Sequence, residues 1–335
     1  MVKIGIIGAG FMGGIHLNAC KMIENAEVVA IVDSDEERGK ELAKKVGANC
    51  YSDAGGMLKE EDVDAVIVCT PTFLHTEIVK EAAEAGKHIF CEKPLALSLK
   101  EAETMLKVVQ KNNVKAMVGH VLRFWPDYVE AKRIVDSGEL GKACHAFCER
   151  LCVTPAWPWK GWMVDERYSK GAPVDMHIHD LDYLIWLFGK PKLVKSQGVY
   201  SKKLNSYMHI GTTVEFKSGQ CGLAEAGYGF KGKFPFTMVL RILCEEGCID
   251  WTYRMGETIE ERGQEFALTV YKADGTIYIP EFEKADPYYM ECKYFIECIE
   301  NGKEIKMATF EQGYTALNLA LATLESTKKG TAVKL

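Results

Sequence analysis

The sequence predicts an α/β protein of two domains, a doubly wound parallel sheet followed by an α/β domain with a large, mostly antiparallel open sheet. Three observations predict it. Over the first 120 residues short apolar runs alternate with helical patterns. After about residue 121 strand-like segments follow one another with few helices between. The chain's 335 residues also exceed what one hydrophobic core usually holds. The expected domains are 1–121 and 122–335.

In chain order, "KIGII", "EVVAIV", "DAVIVCT", "HIFC" and "KAMVG" are apolar throughout, as strands covered on both faces must be. Between them "TEIVKEAAEAG" and "SLKEAETMLKVVQKNN" read as crossover helices of a right-handed doubly wound sheet. "KACHAFCERLCV" reads as a strand, in which Cys144, Cys148 and Cys152 are about 13 Å apart, too far to share a metal ion. Further strands are expected at 191–200, 207–216, 219–230, 236–244, 248–254, 267–272 and 276–280. A helix near 175–188 and a late pair at 286–300 and 309–329 are expected to cover one face of that sheet. The other face is then free, and a homodimer or homotetramer is expected to bury it.

Composition excludes several function classes. Lys plus Arg number 41 against 47 Asp plus Glu, a formal charge of −6 with no basic stripe, so no nucleic-acid partner is expected. No apolar run approaches the length that spans a bilayer, and "MVKIGIIGAG" is too short for a signal peptide and fits a buried strand. The twelve cysteines are scattered without a CxxC pair, which suits small core side chains in a reducing cytoplasm.

"KIGIIGAGFMGGIHL" sets Gly8, Gly10 and Gly13 as GxGxxG between a strand and a helix. Gly8 permits the tight turn, Gly10 lets backbone approach a pyrophosphate, and Gly13 lets helix and strand pack closely. The confirming acid lies twenty residues beyond Gly13, as Asp33 at the end of "EVVAIVD". Its carboxylate accepts from ribose hydroxyls and repels a 2′-phosphate, favouring NAD over NADP, while Ser34 and Arg38 soften that preference.

"HIFCEKPLAL" puts Glu92, Lys93 and Pro94 at the carboxyl end of a parallel strand, where ligands bind in such sheets, although a solvated turn would read the same. "GAPVDMHIHDLDYLIWLFG" is a helix by the spacing of Ile178, Leu181, Leu184, Ile185 and Phe188, ended by Gly189 and Pro191. On a helix His177 and His179 project about 160° apart, so they cannot share a metal ion, and no metal is expected. Asp175, His179, Asp182 and Trp186 would line one strip, with Asp175 and His179 as i, i+4 neighbours and His177 facing the core. An imidazole oriented by a carboxylate is a general base suited to neutral pH.

These segments, with "VIVCTPTFLH" and "RFWPDYVEAKRIVDSGELGK", resemble the glucose–fructose oxidoreductase / inositol dehydrogenase family, Gfo/Idh/MocA, in family order across essentially the whole chain. The resemblance implies an N-terminal Rossmann domain and a C-terminal domain whose open sheet faces a partner subunit. It implies that Lys93 holds the reacting hydroxyl and stabilises developing alkoxide charge. His179 would take the hydroxyl proton as hydride leaves for C4 of the nicotinamide, and Asp175 would orient both. Phe11 and Met12 would lie in the pyrophosphate turn. Thr70, Pro71 and His75 would flank the path from adenosine to nicotinamide, with Glu92 beside the nicotinamide ribose and Arg123 and Trp162 bordering its pocket. Two departures bear on substrate: "KGAPVD" lacks the family's paired glycines, and His120 stands at a substrate-side position where many members have Asn or Arg.

The expected activity is therefore NAD-dependent interconversion of a secondary alcohol and a ketone on a sugar, cyclitol or sugar derivative. Trp157, Trp159 and Trp162 of "TPAWPWKGWM" either pack on a sugar ring or anchor a loop. Two alternatives come from relatives: glycoside hydrolysis through transient oxidation with NAD regenerated each cycle, and ligand sensing without turnover.

Overall fold

The computed structural model describes residues 1–156, 158–255 and 264–335, and the side chains of all these except Gln264 and Glu265. They form two compact units. One is built on Met1–Phe124, residues 158–162 and Ala285–Tyr314, the other on Trp125–Ala156, Met163–Lys284 and Thr315–Leu335.

The first unit carries a parallel sheet of β1 (Val2–Ile7), β2 (Ala26–Val32), β3 (Asn49–Tyr51), β4 (Ala65–Val68), β5 (His88–Cys91) and β6 (Ala116–Val118). Their order is β3-β2-β1-β4-β5-β6. Every residue of β4 is fully buried, as its unbroken apolar run requires. The order reverses between β1 and β4, which opens a crevice beyond their carboxyl ends. Crossover helices are capped locally: Asp35, Asp53 and Ser98 accept from the backbone N–H of Arg38, Gly56 and Glu101. Strand β3 is absent from the sequence reading, because its three residues form no apolar run.

The helix Pro287–Glu300 corrects one expectation. The sequence reading places it on the antiparallel sheet, yet Cys292, Phe295 and Ile296 join the first unit's core with Ile4, Leu17, Phe90 and Met117. Its apolar stripe is the missing cover for the helix Phe11–Lys21, whose buried Leu17 and Cys20 belong to the same core.

In the second unit β7 (Ala143–Val153), β8 (Pro191–Ser201), β9 (Ser206–Phe216), β10 (Cys221–Phe230), β11 (Thr237–Cys244) and β12 (Gly247–Arg254) make the body of one sheet. The short strands β13 (Gln264–Glu265), β14 (Thr269–Lys272), β15 (Ile277–Tyr278) and β16 (Val333–Lys334) extend it. The order is β15-β14-β12-β11-β7-β10-β9-β8-β16, with β13 beside β12. Among the described residues every pairing is antiparallel except β7 with β10. One face is covered by the helix Ile178–Phe188, to which Gly222 gives room because a Cβ there would lie 2.8 Å from Leu184. The end of the helix Phe310–Lys329 packs on β8, where Ser326 Oγ accepts from the Ser196 N–H at 3.0 Å. Strand β9 alternates buried and exposed positions along its second half, so the opposite face is open.

The expected single helix over 175–188 is two pieces, Ala172–Asp175 and Ile178–Phe188. The ladder slips between them: the His177 N–H bonds back five residues to Ala172 and the His179 N–H three residues to Met176. Asp175 and His179 are therefore not i, i+4 neighbours of one continuous helix. No helix among the described residues is long and apolar enough to cross a membrane.

Candidate active site

The glycine turn has the shape its spacing predicts. Gly8 has φ +105°, and a Cβ there would lie 2.8 Å from the backbone of Cys69. A Cβ on Gly13 would stand 2.0 Å from the Gly8 carbonyl oxygen, so only glycine lets helix and strand meet this closely. Gly10 is exposed, and nothing lies within 4 Å of the place its Cβ would take. It caps the helix Phe11–Lys21, whose first turn holds no acidic residue to offset the positive end of the helix dipole. A pyrophosphate fits that cradle. Phe11 and Met12 are half-buried beside it.

Asp33 is 7% exposed at the end of β2, the neighbouring strand. Its carboxylate accepts from the N–H groups of Ala9 (2.8 Å) and Asp35 (2.8 Å) and from both arms of Arg38 (3.0 and 2.6 Å). Burial alone would raise its pKa, but Arg38 and the two N–H groups outweigh burial and hold it below the usual carboxylate value. Ser34 is exposed next to it.

At the end of β4, Thr70 and Pro71 are half-buried, and the Thr70 hydroxyl has no protein partner among the described residues. His75 opens the following helix with its ring buried between carbonyls, Nε2 at 2.9 Å from Thr70 O and Nδ1 at 3.1 Å from Pro94 O. Burial depresses its pKa despite those carbonyls, so it is a neutral spacer between the two loops.

At the end of β5, Glu92 is 6% exposed and Lys93 half-buried, with a cis peptide to Pro94. The Glu92 carboxylate accepts from the Lys93 N–H at 3.1 Å and faces His16 Nε2 at 2.6 Å. Desolvation pushes its pKa up, and His16 more than offsets it, leaving Glu92 below its usual value. Gly119 makes room, since a Cβ there would lie 3.0 Å from that carboxylate. Glu291 completes a buried trio in which one ligand-type atom each of His16, Glu92 and Glu291 lies within 4.8 Å of the others. Neither Glu291 oxygen has a hydrogen-bond partner among the described residues, and burial followed by the charge of Glu92 pushes its pKa well up. Sequence reasoning passed over His16 and Glu291. The only local signal was a histidine one turn into the coenzyme helix.

After β6, His120 and Arg123 are buried, and Arg123 Nη1 donates to Gln312 Oε1 at 3.2 Å. The first unit thus gathers Gly8, Gly10, Gly13, Asp33, Thr70, Glu92, Lys93, His120 and Arg123 at or just beyond the carboxyl ends of its strands.

The second unit carries Asp175, which is 4% exposed, and the half-buried His179 on successive turns. His177 is core, as expected: it is fully buried, its Nε2 is 2.9 Å from Thr212 Oγ1, and burial first drives its pKa down to about 3. A pair the sequence did not reveal holds the helix Ile178–Phe188 to the sheet. Asp180 accepts twice from Arg150 of β7, at 3.0 and 3.1 Å, with both side chains buried. Trp162, half-buried, and Trp159, exposed, lie in the short 3₁₀ stretch Trp159–Val164 and belong to the first unit, and Trp157 lies outside the described residues.

Comparison with known proteins agrees over the full length. Residues 2–120 match a family described as an oxidoreductase family with an NAD-binding Rossmann fold, and residues 132–335 match that family's C-terminal alpha/beta domain. The chain is 30% identical to a myo-inositol 2-dehydrogenase of Thermotoga maritima, covering 100% of this chain and 98% of the relative. Over 56% of this chain and 50% of the relative it is 35% identical to a 2,7-anhydro-N-acetylneuraminate hydratase of Mediterraneibacter gnavus. A crystal structure of a probable dehydrogenase from Thermotoga maritima superposes with a TM-score of 0.83 at 27% identity, covering 99% of this chain and 98% of that one.

Proposed function

The chain belongs to the Gfo/Idh/MocA oxidoreductase family and is an NAD-dependent dehydrogenase, and on that premise we propose that it interconverts a secondary alcohol and a ketone on a cyclitol or sugar. The observation that carries the substrate class is the end-to-end likeness to an inositol 2-dehydrogenase. Bound NAD supplies the hydride acceptor. Gly10 and the helix behind it hold the pyrophosphate, assisted by Phe11 and Met12, and Asp33 and Ser34 receive the adenosine ribose. Thr70, Pro71 and His75 border the path toward the nicotinamide end, and Glu92 and Arg123 lie at that end. Lys93 donates to the reacting hydroxyl and steadies negative charge on its oxygen. His179 takes the hydroxyl proton as general base, and Asp175 orients both Lys93 and His179. His120 and Trp162 contact the substrate ring. The protein works in the cytoplasm as a homodimer or homotetramer. Its twelve cysteines, all free thiols, support the reducing compartment.

The test separates binding from chemistry. Lys93→Ala or His179→Ala should abolish NADH formation, by at least about a thousandfold, while NAD still binds. Wild-type turnover in either variant would refute the roles given to those residues.

The hydratase relative supports a second reading, in which transient oxidation leaves no net NADH. Sugar released or hydrated without NADH accumulating at 340 nm would select it.

A further inference from the structure

One acid in the coenzyme-binding unit is buried against another. Glu291, on the helix Pro287–Glu300, is 0% exposed, and neither of its carboxyl oxygens has a hydrogen-bond partner among the described residues. One of those oxygens lies within 4.8 Å of ligand-type atoms of both Glu92 and His16. His16 has no nitrogen left for it: Nε2 is 2.6 Å from Glu92 Oε1, and Nδ1 is 3.3 Å from Cys292 Sγ. The imidazole is wedged edge-on between the rings of Phe90 and Tyr288, with centroids 4.9 and 6.1 Å away, which leaves it little room to turn. Besides burial, the charges that act on Glu291 are Glu92 and then Asp286 at the cap of its own helix, both negative. The thiols that face it stay neutral: burial holds Cys69, and hydrogen bonding to Cys20 holds Cys292, well above the usual thiol value. An ionised Glu291 would be an unpaired buried anion beside a second anion, so its physical state is the neutral acid. As an acid it has an O–H to donate, and one bridging water spans the distance to the Glu92 carboxylate.

We propose that Glu291 is a positioning residue for the coenzyme: as a neutral acid it donates toward Glu92 and, with His16 and the Lys93 N–H, holds that carboxylate ionised and fixed for the nicotinamide ribose. The proposal rests on the reading of Glu92 at the nicotinamide end and adds the two residues that stand behind it. In this carboxyl pair Glu92 keeps the charge and Glu291 the proton, because like charges this close do not both ionise. A carboxylate offers about four acceptor positions, so three converging donors leave one for a ribose hydroxyl. Packing closes a further side, since a Cβ on Gly119 would lie 3.0 Å from the Glu92 carboxylate. Glu92 is thereby held to one orientation before the coenzyme arrives.

Calorimetric titration of NAD into the whole protein, wild type and variants at Glu92 and Glu291, tests it. Glu291→Leu keeps the bulk but removes the donor, and should weaken NAD binding by about tenfold. In a Glu92→Gln background the same change should cost little further, because its effect runs through the carboxylate already lost. Glu291→Gln is neutral and still a donor, so it should bind NAD within about threefold of wild type. The infrared difference between wild type and Glu291→Gln at neutral pH should show the carbonyl stretch of a protonated carboxyl group, a readout that stands even if the leucine variant does not fold. The positioning role is overturned by additive losses in the double variant, by full NAD affinity in Glu291→Leu, by a glutamine variant as weak as the leucine one, or by the absence of that band. A stoichiometric divalent metal in the purified protein would overturn it too, since Glu291 would then be an ionised ligand. Unchanged NAD affinity in Glu92→Gln alone would instead remove the reading of Glu92 at the ribose.

Discussion

Single residues in this chain hold protons where the unfolded chain would not, and the sign of each effect is fixed by its surroundings. Glu291 is raised by burial and by Glu92 from an ordinary value of 4.5, so the folded chain keeps a proton that the unfolded chain releases. Its contribution is fully present below 4.5 and is lost as pH rises. Glu291→Gln should therefore melt higher than wild type at pH 8 and match it near pH 4.5, a comparison thermal denaturation makes directly. His177 works the other way, held at about 3 against an ordinary 6.5. Stability should fall as pH drops from 6.5, by about 2 kcal/mol on reaching pH 5, and His177→Gln should flatten that slope. The sequence exposed the glycines and Asp33 at this scale because their spacing is local. It hid the trio of His16, Glu92 and Glu291, whose members come from three distant segments and meet only in the fold.

Elements were legible where periodicity is strong and neighbours close in sequence. Five of the six parallel strands and the sheet body from Pro191 to Arg254 stand where their apolar runs put them. The short β3 had too little pattern to show. The helix Pro287–Glu300 was recognised as a helix but given the wrong partner, since an amphipathic stripe says that a face is buried without saying against what. The break after Asp175 was invisible because Met176 and His177 are compatible with helix and only the slipped ladder reveals it. The strand–turn–helix at the start is the element most exposed to a small change. Gly13→Ala must push its methyl into the Gly8 carbonyl, and should cost about 2 kcal/mol or more of stability and weaken NAD binding by about tenfold. Chemical denaturation and coenzyme titration read the two losses separately.

Among the described residues the second unit leaves one face of its sheet uncovered. Across it Phe147 pairs with Leu223 and Arg241, and His145 with Leu243, with Leu223 and Leu243 exposed at 39% and 54%. Apolar side chains in register on an open sheet are the surface that the proposed homo-oligomer would bury. Leu223→Asp together with Leu243→Asp should shift the mass in light scattering from dimer or tetramer to monomer, with coenzyme affinity preserved. The path of the chain carries a consequence of its own. The core of the coenzyme-binding unit needs Cys292, Phe295 and Ile296, which follow most of the second unit in sequence. A nascent chain that has emerged only as far as residue 124 has made every parallel strand and still lacks their lid. On the ribosome that sheet must wait, with one flank bare, until residues 285–314 have left the exit tunnel, and an interrupted translation product would be sticky rather than half-functional.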